Sequence, residues 1–255
     1  MNVLVCVKRV PMVGAQITVT SDAQEIDTRQ LGFTVSPHEE CAVEEAVRIV
    51  EQEGGTVSVL TLGPPEAVEQ LRDAAAVGAG RLVLLETDGR EWGPLATAGA
   101  IVEVLRRHES ENGPYEIILF GNEAADTGDF QVAIRVAHAL GRPCVTGIKH
   151  IDVAGAKLRA RREFRGGDEL FELALPAVVS VKEGINLPRY PSLPGRMRAK
   201  KAGIEQTSPE WHEDPVRKQS LRVPAVEHRR AEILGTGVEA VPALVDLLEQ
   251  LGVLP

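Results

Sequence analysis

The chain has 255 residues, 44% of them hydrophobic and 25% charged, which is enough for one large α/β domain with a sizeable core and an appended segment. Mean hydropathy is -0.05, and no apolar run approaches the roughly 18–20 residues of a membrane-spanning helix. Because 28 basic residues stand against 37 acidic ones, the net charge of -9 argues against a general affinity for nucleic acid or an anionic membrane.

Short apolar runs alternate with longer helical stretches along most of the chain. The predicted strands are residues 3–7, 57–62, 82–86, 116–120, 144–148 and 177–181. Apolar spacing at i, i+3, i+4 and i+7 predicts helices over residues 37–51, 66–77, 94–107 and 129–140, the last with Phe130, Ala133, Val136, Ala137 and Leu140 on one face. This alternation predicts a doubly wound α/β fold with a mainly parallel, Rossmann-like sheet.

Two stretches in which apolar and polar residues alternate predict hairpins within this pattern. Residues 16–19 pair with 25–27 in the first, and residues 157–164 with 169–175 in the second, around the turn Gly166-Gly167. After residue 185, six prolines precede a last amphipathic helix over residues 238–251. We expect this C-terminal arm to lie on the core or on another chain, since it cannot bury its helix alone.

Residue patterns for catalysis and metal binding are not found. Cys6, Cys41 and Cys144 form no CxxC and lie in apolar runs, as expected for thiols of a reducing, cytoplasmic compartment, and the start of the chain does not resemble a secretory leader. The six histidines form no close ligand pair, and no nucleophile elbow, phosphate loop or dinucleotide fingerprint occurs. We therefore predict no catalytic residue and no metal site.

Two helix starts are candidate binding elements. Ser36-Pro37-His38-Glu39 predicts a capping box, which either only caps the helix or also holds an anion, although Glu39 and Glu40 oppose one. Residues 121–129 leave an apolar strand and enter a helix, which is where open α/β sheets bind ligands. The alternative for this loop is a simple polar connection capped by Asp126 or Thr127.

A basic, proline-rich segment follows at residues 186–201, with Arg189, Arg196, Arg198, Lys200 and Lys201 and no acidic residue. It is either a solvated loop or a stiff docking loop with Tyr190 and Leu193 as anchors.

Residues 186–201 closely resemble N-x-P-R-Y-x-[ST]-L-P-x-x-M-x-A-K-K, the signature of the electron transfer flavoprotein beta subunit. Further matches lie at residues 7–11, at Pro37 followed by 42–47, at 74–79 and at 176–179.

The resemblance implies an electron carrier rather than an enzyme. In that family the beta subunit forms a heterodimer with an alpha subunit, which holds most of the contacts to FAD, while the beta subunit holds a structural AMP. The carrier takes electrons from acyl-CoA or other dehydrogenases and passes them to a quinone oxidoreductase. Residues 1–185 would be the nucleotide-binding domain, and residues 186–255 the docking loop and an arm that packs on the partner.

The resemblance also implies site residues. The AMP-contacting positions fall on Cys6, Ser36, Pro37, His38, Glu39, Leu62, Gly121, Asn122, Glu123, Ala124, Ala125, Asp126, Thr127, Gly128, Asp129, Phe130, Gln131 and Val132. The partner-docking positions fall on Glu163, Tyr190, Leu193 and Arg196. Ser36 replaces the usual Asn, and Phe130-Gln131-Val132 replaces Asn-Gln-Thr. Two alternatives therefore stay open: an electron-bifurcating relative with a second FAD in this pocket, and a stand-alone ATP- or AMP-binding α/β protein.

Overall fold

The computed structural model describes residues 1–12, 14, 17–224 and 233–254. The strands in it are β1 (Asn2–Val7), β2 (Val10–Pro11), β3 (Phe33–Thr34), β4 (Thr56–Gly63), β5 (Arg81–Glu86), β6 (Ile117–Gly121), β7 (Cys144–Ile148), β8 (His150–Ala154), β9 (Lys157–Phe164), β10 (Gly167–Ala174), β11 (Ala177–Val181) and β12 (Ile204–Thr207). The helices are α1 (Pro37–Glu53), α2 (Val68–Val77), α3 (Pro94–Asn112), α4 (Val132–Leu140), α5 (Leu193–Lys201) and α6 (Val241–Gln250), with 3-10 turns at Pro65–Ala67 and Gly237–Ala240.

The central sheet has seven strands in the order β12-β5-β4-β1-β6-β11-β7, and every neighbouring pair is parallel. Val5 on one face packs with α1 and α2, whereas Leu4 on the other packs with α3 and α4. Apolar residues fill the strands without alternation because both faces of the sheet are covered. The predicted doubly wound α/β fold is confirmed.

The order of the strands reverses at β1. The chain goes from β1 to β4 and β5 on one side, and then crosses to β6 on the other side. Helices that leave β1 and β6 therefore run to opposite faces, and a crevice opens between the carboxyl ends of these two strands. The fold thus places the segment after Val7 beside the loop after Gly121.

The second predicted hairpin is confirmed, with its turn shifted by one residue. Strands β8, β9 and β10 form an antiparallel sheet in which Gly167 pairs with Phe164. The turn is Arg165-Gly166, with φ values of 46° and 79°, rather than Gly166-Gly167. A two-residue loop of this type needs positive φ at both central positions, and the inward-facing Leu158 fixes the register that puts Arg165 there.

Two other predictions on the first 140 residues need correction. The first hairpin is reduced to a single antiparallel bridge between Val19 and Ile26, and Gln16 lies outside the described residues. Helix α4 begins at Val132 rather than at residue 129. The side chain of Asp129 accepts the N–H of Gln131, and this bond forms a turn around Phe130. Phe130 is therefore 52% exposed and does not lie on the buried face of the helix.

The segment after residue 185 contains two unpredicted elements, helix α5 and strand β12. Pro194 is compatible with α5 because it lies in the first turn, and Ser192 caps the helix by accepting the N–H of Gly195 at 3.1 Å. Strand β12 joins the sheet beside β5, and Asp214 then accepts the N–H of Leu95 at 2.8 Å. The chain therefore stays in contact with its own earlier residues to at least residue 221, whose N–H donates to the carbonyl of Ala23.

Candidate functional site

The crevice is formed by the segment after β1, the start of α1 and the loop at residues 121–132. Two predicted parts of the site, residues 36–39 and 121–126, come together there. Ser36 is the N-cap of α1: its Oγ accepts the N–H of Glu39 at 3.3 Å, and its own N–H donates to Glu39 Oε2 at 2.9 Å. The predicted capping box is confirmed. The other carboxylate oxygen, Oε1, accepts the N–H of Lys8 at 2.7 Å, so Glu39 joins the end of β1 to the start of α1.

Glu39 is only 6% exposed, and its bonds inside the crevice come from backbone N–H groups. Burial raises the pKa of this carboxyl to about 7, against the lowering effect of the hydrogen bonds from Ser36 and Lys8. An added Cβ at Gly121 would lie 2.8 Å from Glu39 Cγ, so only glycine lets β6 approach α1 this closely. The expected repulsion of an anion by Glu39 is therefore weakened, because its carboxyl points inward and is partly neutral at pH 7.

Two side-chain contacts connect the walls of the crevice at its mouth. Lys8 Nζ lies 2.7 Å from Asp126 Oδ1, which ties the segment after β1 to the loop after β6. His38 Nδ1 accepts the N–H of Glu183 at 2.8 Å, so a neutral imidazole has its proton on Nε2, 3.9 Å from Glu123 Oε1. The loop is thus held from both sides by groups outside it.

The loop after β6 is not the simple capping loop of the alternative interpretation. Asp126 contacts Lys8, and α4 begins without a side-chain cap. Within the loop, the N–H of Gly128 donates to the carbonyl of Ala124 at 2.8 Å. Among the described residues, the N–H groups of Ala125 and Thr127 have no hydrogen-bond partner, so the loop presents free backbone donors.

Other predicted positions take no part in these contacts. Cys6 is buried in β1 and faces the layer of α3 and α4; burial and the nearby charge of Glu39 raise the pKa of its thiol. Leu62 faces the same layer from β4. Gln131 accepts hydrogen bonds from Arg135, and Phe130 extends toward solvent.

Ser180 is a neighbour of the crevice that sequence reasoning missed. It pairs in register with Phe120, which itself pairs with Cys6, so the three residues form one row across β11, β6 and β1. Its hydroxyl is buried and has no hydrogen-bond partner within the described ranges. The available signal was a single serine inside the apolar run of residues 177–181.

A second surface lies on the signature segment. It is the apolar patch, which consists of Leu187, Tyr190, Leu193 and Met197, all of them exposed. Tyr190 is 95% exposed and Leu193 is 74% exposed. Leu193 is the first residue of α5 rather than part of a loop, so the helix cap at Ser192 fixes its backbone, and Arg196 follows on the same helix.

Glu163, the remaining predicted docking residue, is exposed on β9 opposite Asp168. Its neighbours Arg161 and Arg162 pair with Asp168 and Glu169, at 3.0 and 2.7 Å. No ion pair to Glu163 occurs among the described residues, so a local partner does not explain this charge.

The parallel sheet, with the crevice at its reversal point and the N-terminal cap of α1 beside it, defines a doubly wound α/β protein, and such a crevice is where open sheets of this class bind ligands. The sequence model of the electron transfer flavoprotein domain matches residues 25–210. The electron transfer flavoprotein subunit beta of Bacillus subtilis is 35% identical over 206 residues, covering 81% of this chain and 78% of that protein. The corresponding protein of Bradyrhizobium diazoefficiens is 34% identical over 252 residues, or 98% of each chain.

This chain therefore belongs to the electron transfer flavoprotein beta subunit family. The predicted resemblance is confirmed by the domain match and by a match over 98% of this chain. Among the described residues, no helix has both the length and the apolar character to cross a bilayer.

Proposed function

We propose that this chain is the beta subunit of a heterodimeric, FAD-containing electron carrier that accepts electrons from acyl-CoA and other dehydrogenases and donates them to a quinone oxidoreductase. The observation that carries this proposal is the apolar patch on the signature segment. Two of its large apolar side chains, Leu193 and Met197, are exposed on a capped helix, and the other two lie on the segment just before that helix. Such side chains suit transient contact with a partner protein. The chain itself binds and docks, and catalyses no bond chemistry.

The crevice is proposed to hold a structural AMP. Free N–H groups of Ala125 and Thr127, together with the ammonium of Lys8, suit a phosphate, and the carboxylates of Glu123 and Asp126 suit ribose hydroxyls. The chemistry of this donor set therefore fits a nucleotide. AMP, when bound, supplies no redox chemistry, so these residues would only bind it and close the crevice around it.

The alpha subunit is proposed to hold most of the FAD and to cover α6. Val241, Leu244 and Val245 of that helix are exposed, and among the described elements α6 packs mainly on its own preceding turn. Deleting residues 238–255 should abolish coelution of the two subunits on a sizing column, since several buried leucines and valines are each worth about 1.5–3 kcal/mol. Unchanged coelution would place the helix elsewhere.

Cofactor counting tests the proposal. The chain is purified with its co-expressed partner and denatured, and the released FAD and AMP are measured per heterodimer; we expect one of each. Gly121→Ala should release AMP and keep FAD, because the new Cβ collides with Glu39. Gly99→Ala is the matched control, since an added Cβ there contacts nothing within 4 Å.

The alternatives give different counts. Two FAD and no AMP would indicate the electron-bifurcating relative with a second flavin in this crevice. A stable homodimer that purifies alone and hydrolyses ATP would indicate a stand-alone nucleotide-binding protein. The proposed compartment is the cytoplasm, in keeping with three cysteines that are all free thiols.

A further inference from the structure

One arginine, Arg189, binds the segment before α5 to the side of helix α1. Arg189 donates from Nε to Glu44 Oε2 at 2.8 Å and from Nη2 to Glu44 Oε1 at 3.1 Å. The same guanidinium donates to both carboxylate oxygens of Glu51, at 2.6 and 2.9 Å. The backbone N–H of Arg189 also donates to Glu44 Oε2 at 3.1 Å, so the main chain itself is fixed. We call this set of bonds the clamp.

The clamp is more than a surface ion pair. The side chain of Glu44 is only 4% exposed. Burial alone would raise the pKa of Glu44, but hydrogen bonds from Arg189 and Arg48 outweigh it and lower that pKa. A buried carboxylate that loses such partners is strongly destabilised, so Glu44 constrains the position of Arg189 tightly.

Two more contacts hold the segment on either side of the clamp. Asn186 Nδ2 donates to the carbonyl of Cys41 at 2.9 Å and to Glu45 Oε2 at 2.8 Å. Farther along, an added Cβ at Gly195 would lie 2.3 Å from the carbonyl oxygen of Ala76, so the first turn of α5 rests directly on α2. Tyr190 and Leu193 are therefore presented from a short stretch that is fixed at both ends.

We propose that Arg189 is a positioning residue for docking of the electron donor: its clamp on Glu44 and Glu51 holds Tyr190 and Leu193 in the orientation that a dehydrogenase binds. The inference rests on the proposed function, in which the apolar patch meets a dehydrogenase. Ordering a loop on binding reduces affinity, so a segment ordered beforehand by the clamp binds more tightly without any added contact. Arg189 need not touch the donor to have this effect.

Hydrogen exchange tests the clamp without any donor. In Arg189→Met heterodimer, the amide of residue 189, which donates to Glu44 in the parent, should exchange about tenfold faster or more than in the parent. Arg142→Met is the matched control, because Arg142 holds Glu109 through two bonds of 2.7 and 2.8 Å and is also largely buried. That control should leave exchange of the residue 189 amide unchanged. Unchanged exchange in Arg189→Met, or equal change in both variants, overturns the proposal.

A double-mutant cycle with Leu193→Ala tests the link to docking. The donor is an acyl-CoA dehydrogenase chosen because it reduces the parent heterodimer. Arg189→Met should raise the KM for the carrier about fivefold to tenfold at unchanged kcat, and should add less than about twofold in the Leu193→Ala background. Equal effects of Arg189→Met in both backgrounds contradict the positioning role.

Two further variants keep the test decisive. Arg189→Lys keeps the charge but loses the planar fork, so its KM should lie between those of the parent and Arg189→Met. Glu51→Gln leaves the buried Arg189–Glu44 bonds in place and should give a smaller effect of the same kind even if Arg189→Met does not fold. If no dehydrogenase reduces the parent, the proposed function fails, while hydrogen exchange still decides whether the clamp orders the segment.

Discussion

Helix α1 supports the crevice with one buried glutamate and the apolar patch with another, and the two carboxyls are held in opposite ways. Glu39 at the start of the helix accepts only backbone N–H groups, and burial raises its pKa to about 7. Glu44, five residues later, accepts hydrogen bonds from Arg48 and Arg189, which lower its pKa despite burial. Burial alone therefore does not decide the charge of a carboxylate; the charge of its hydrogen-bond donors does.

This difference separates the two regions in their response to pH. The crevice contains the carboxyl of Glu39, which changes its charge near neutrality. The electrostatic potential of the crevice therefore changes with pH in that range. Glu44, which holds Arg189 beside the apolar patch, has a lowered pKa and therefore stays ionised throughout the neutral range. The contrast predicts that pH should affect the crevice first and the patch only under acidic conditions.

The largest expected effect is the pH dependence contributed by Glu39. Its folded pKa is raised, so its proton stabilises the folded protein below about pH 4.5, and this stabilisation is lost as pH rises to about 7. A shift from 4.5 to about 7 corresponds to about 3 kcal/mol. The free energy of unfolding of the parent, measured against Glu39→Gln in urea, should fall by about that amount between pH 4.5 and 8. A constant difference across this range would mean that Glu39 does not titrate there.

Glu44→Gln should show the reverse dependence. The folded pKa of Glu44 is lowered, so its charge stabilises the fold above the usual pKa of 4.5, and this contribution is lost as pH falls below it. At pH 7 the variant should be less stable than the parent by about 2–3 kcal/mol, because Arg189 and Arg48 lose a charged acceptor. The gap should narrow as pH falls below 4.5 in the same urea titrations, and a gap that does not narrow in acid would count against ionisation as its source.

The sequence predicted the crevice better than the support of the patch, for a physical reason. The Ser36–Glu39 capping box lies within four consecutive residues, so local pattern reveals it. The bonds between Arg189 and Glu44 join residues 145 positions apart, and no local periodicity signals them. Helix α5 was missed because Pro191 and Pro194 resemble breakers, whereas Pro194 lies in a first turn where its missing N–H costs nothing.

Leu193→Ala should act on the apolar patch alone. Burying one leucine against a partner is worth roughly 1.5–3 kcal/mol, so stopped-flow reduction by a dehydrogenase should slow by about one to two orders of magnitude at limiting carrier concentration. FAD content and reduction by dithionite should be unchanged, because the side chain is exposed on α5. Arg196 should instead set the salt dependence of the encounter. Equal rates for parent and variant at several ionic strengths would remove Leu193 as an anchor.

The smallest expected effect on stability belongs to Glu163, which lies on a different element from either glutamate of α1. It faces Asp168 across the hairpin, and Arg161 pairs with Asp168 instead. Two carboxylates opposite each other on neighbouring strands disfavour the pairing slightly. Removing Glu163 should therefore leave the melting temperature unchanged or raise it a little, within about 0.5 kcal/mol.

The role proposed for Glu163 is to hold the mobile FAD domain of the alpha subunit through a charge pair. Glu163→Ala should therefore change the rate of electron transfer between proteins while leaving the fold intact. Glu172→Ala is the matched control, since Glu172 lies on the same hairpin but pairs locally with Lys157 and Arg159. That variant should lose a little stability, because its exposed ion pairs are weak, with an unchanged transfer rate. If instead Glu163→Ala lowers the melting temperature and leaves the rate unchanged, its charge acts within the hairpin, and the hairpin has no part in holding the flavin domain.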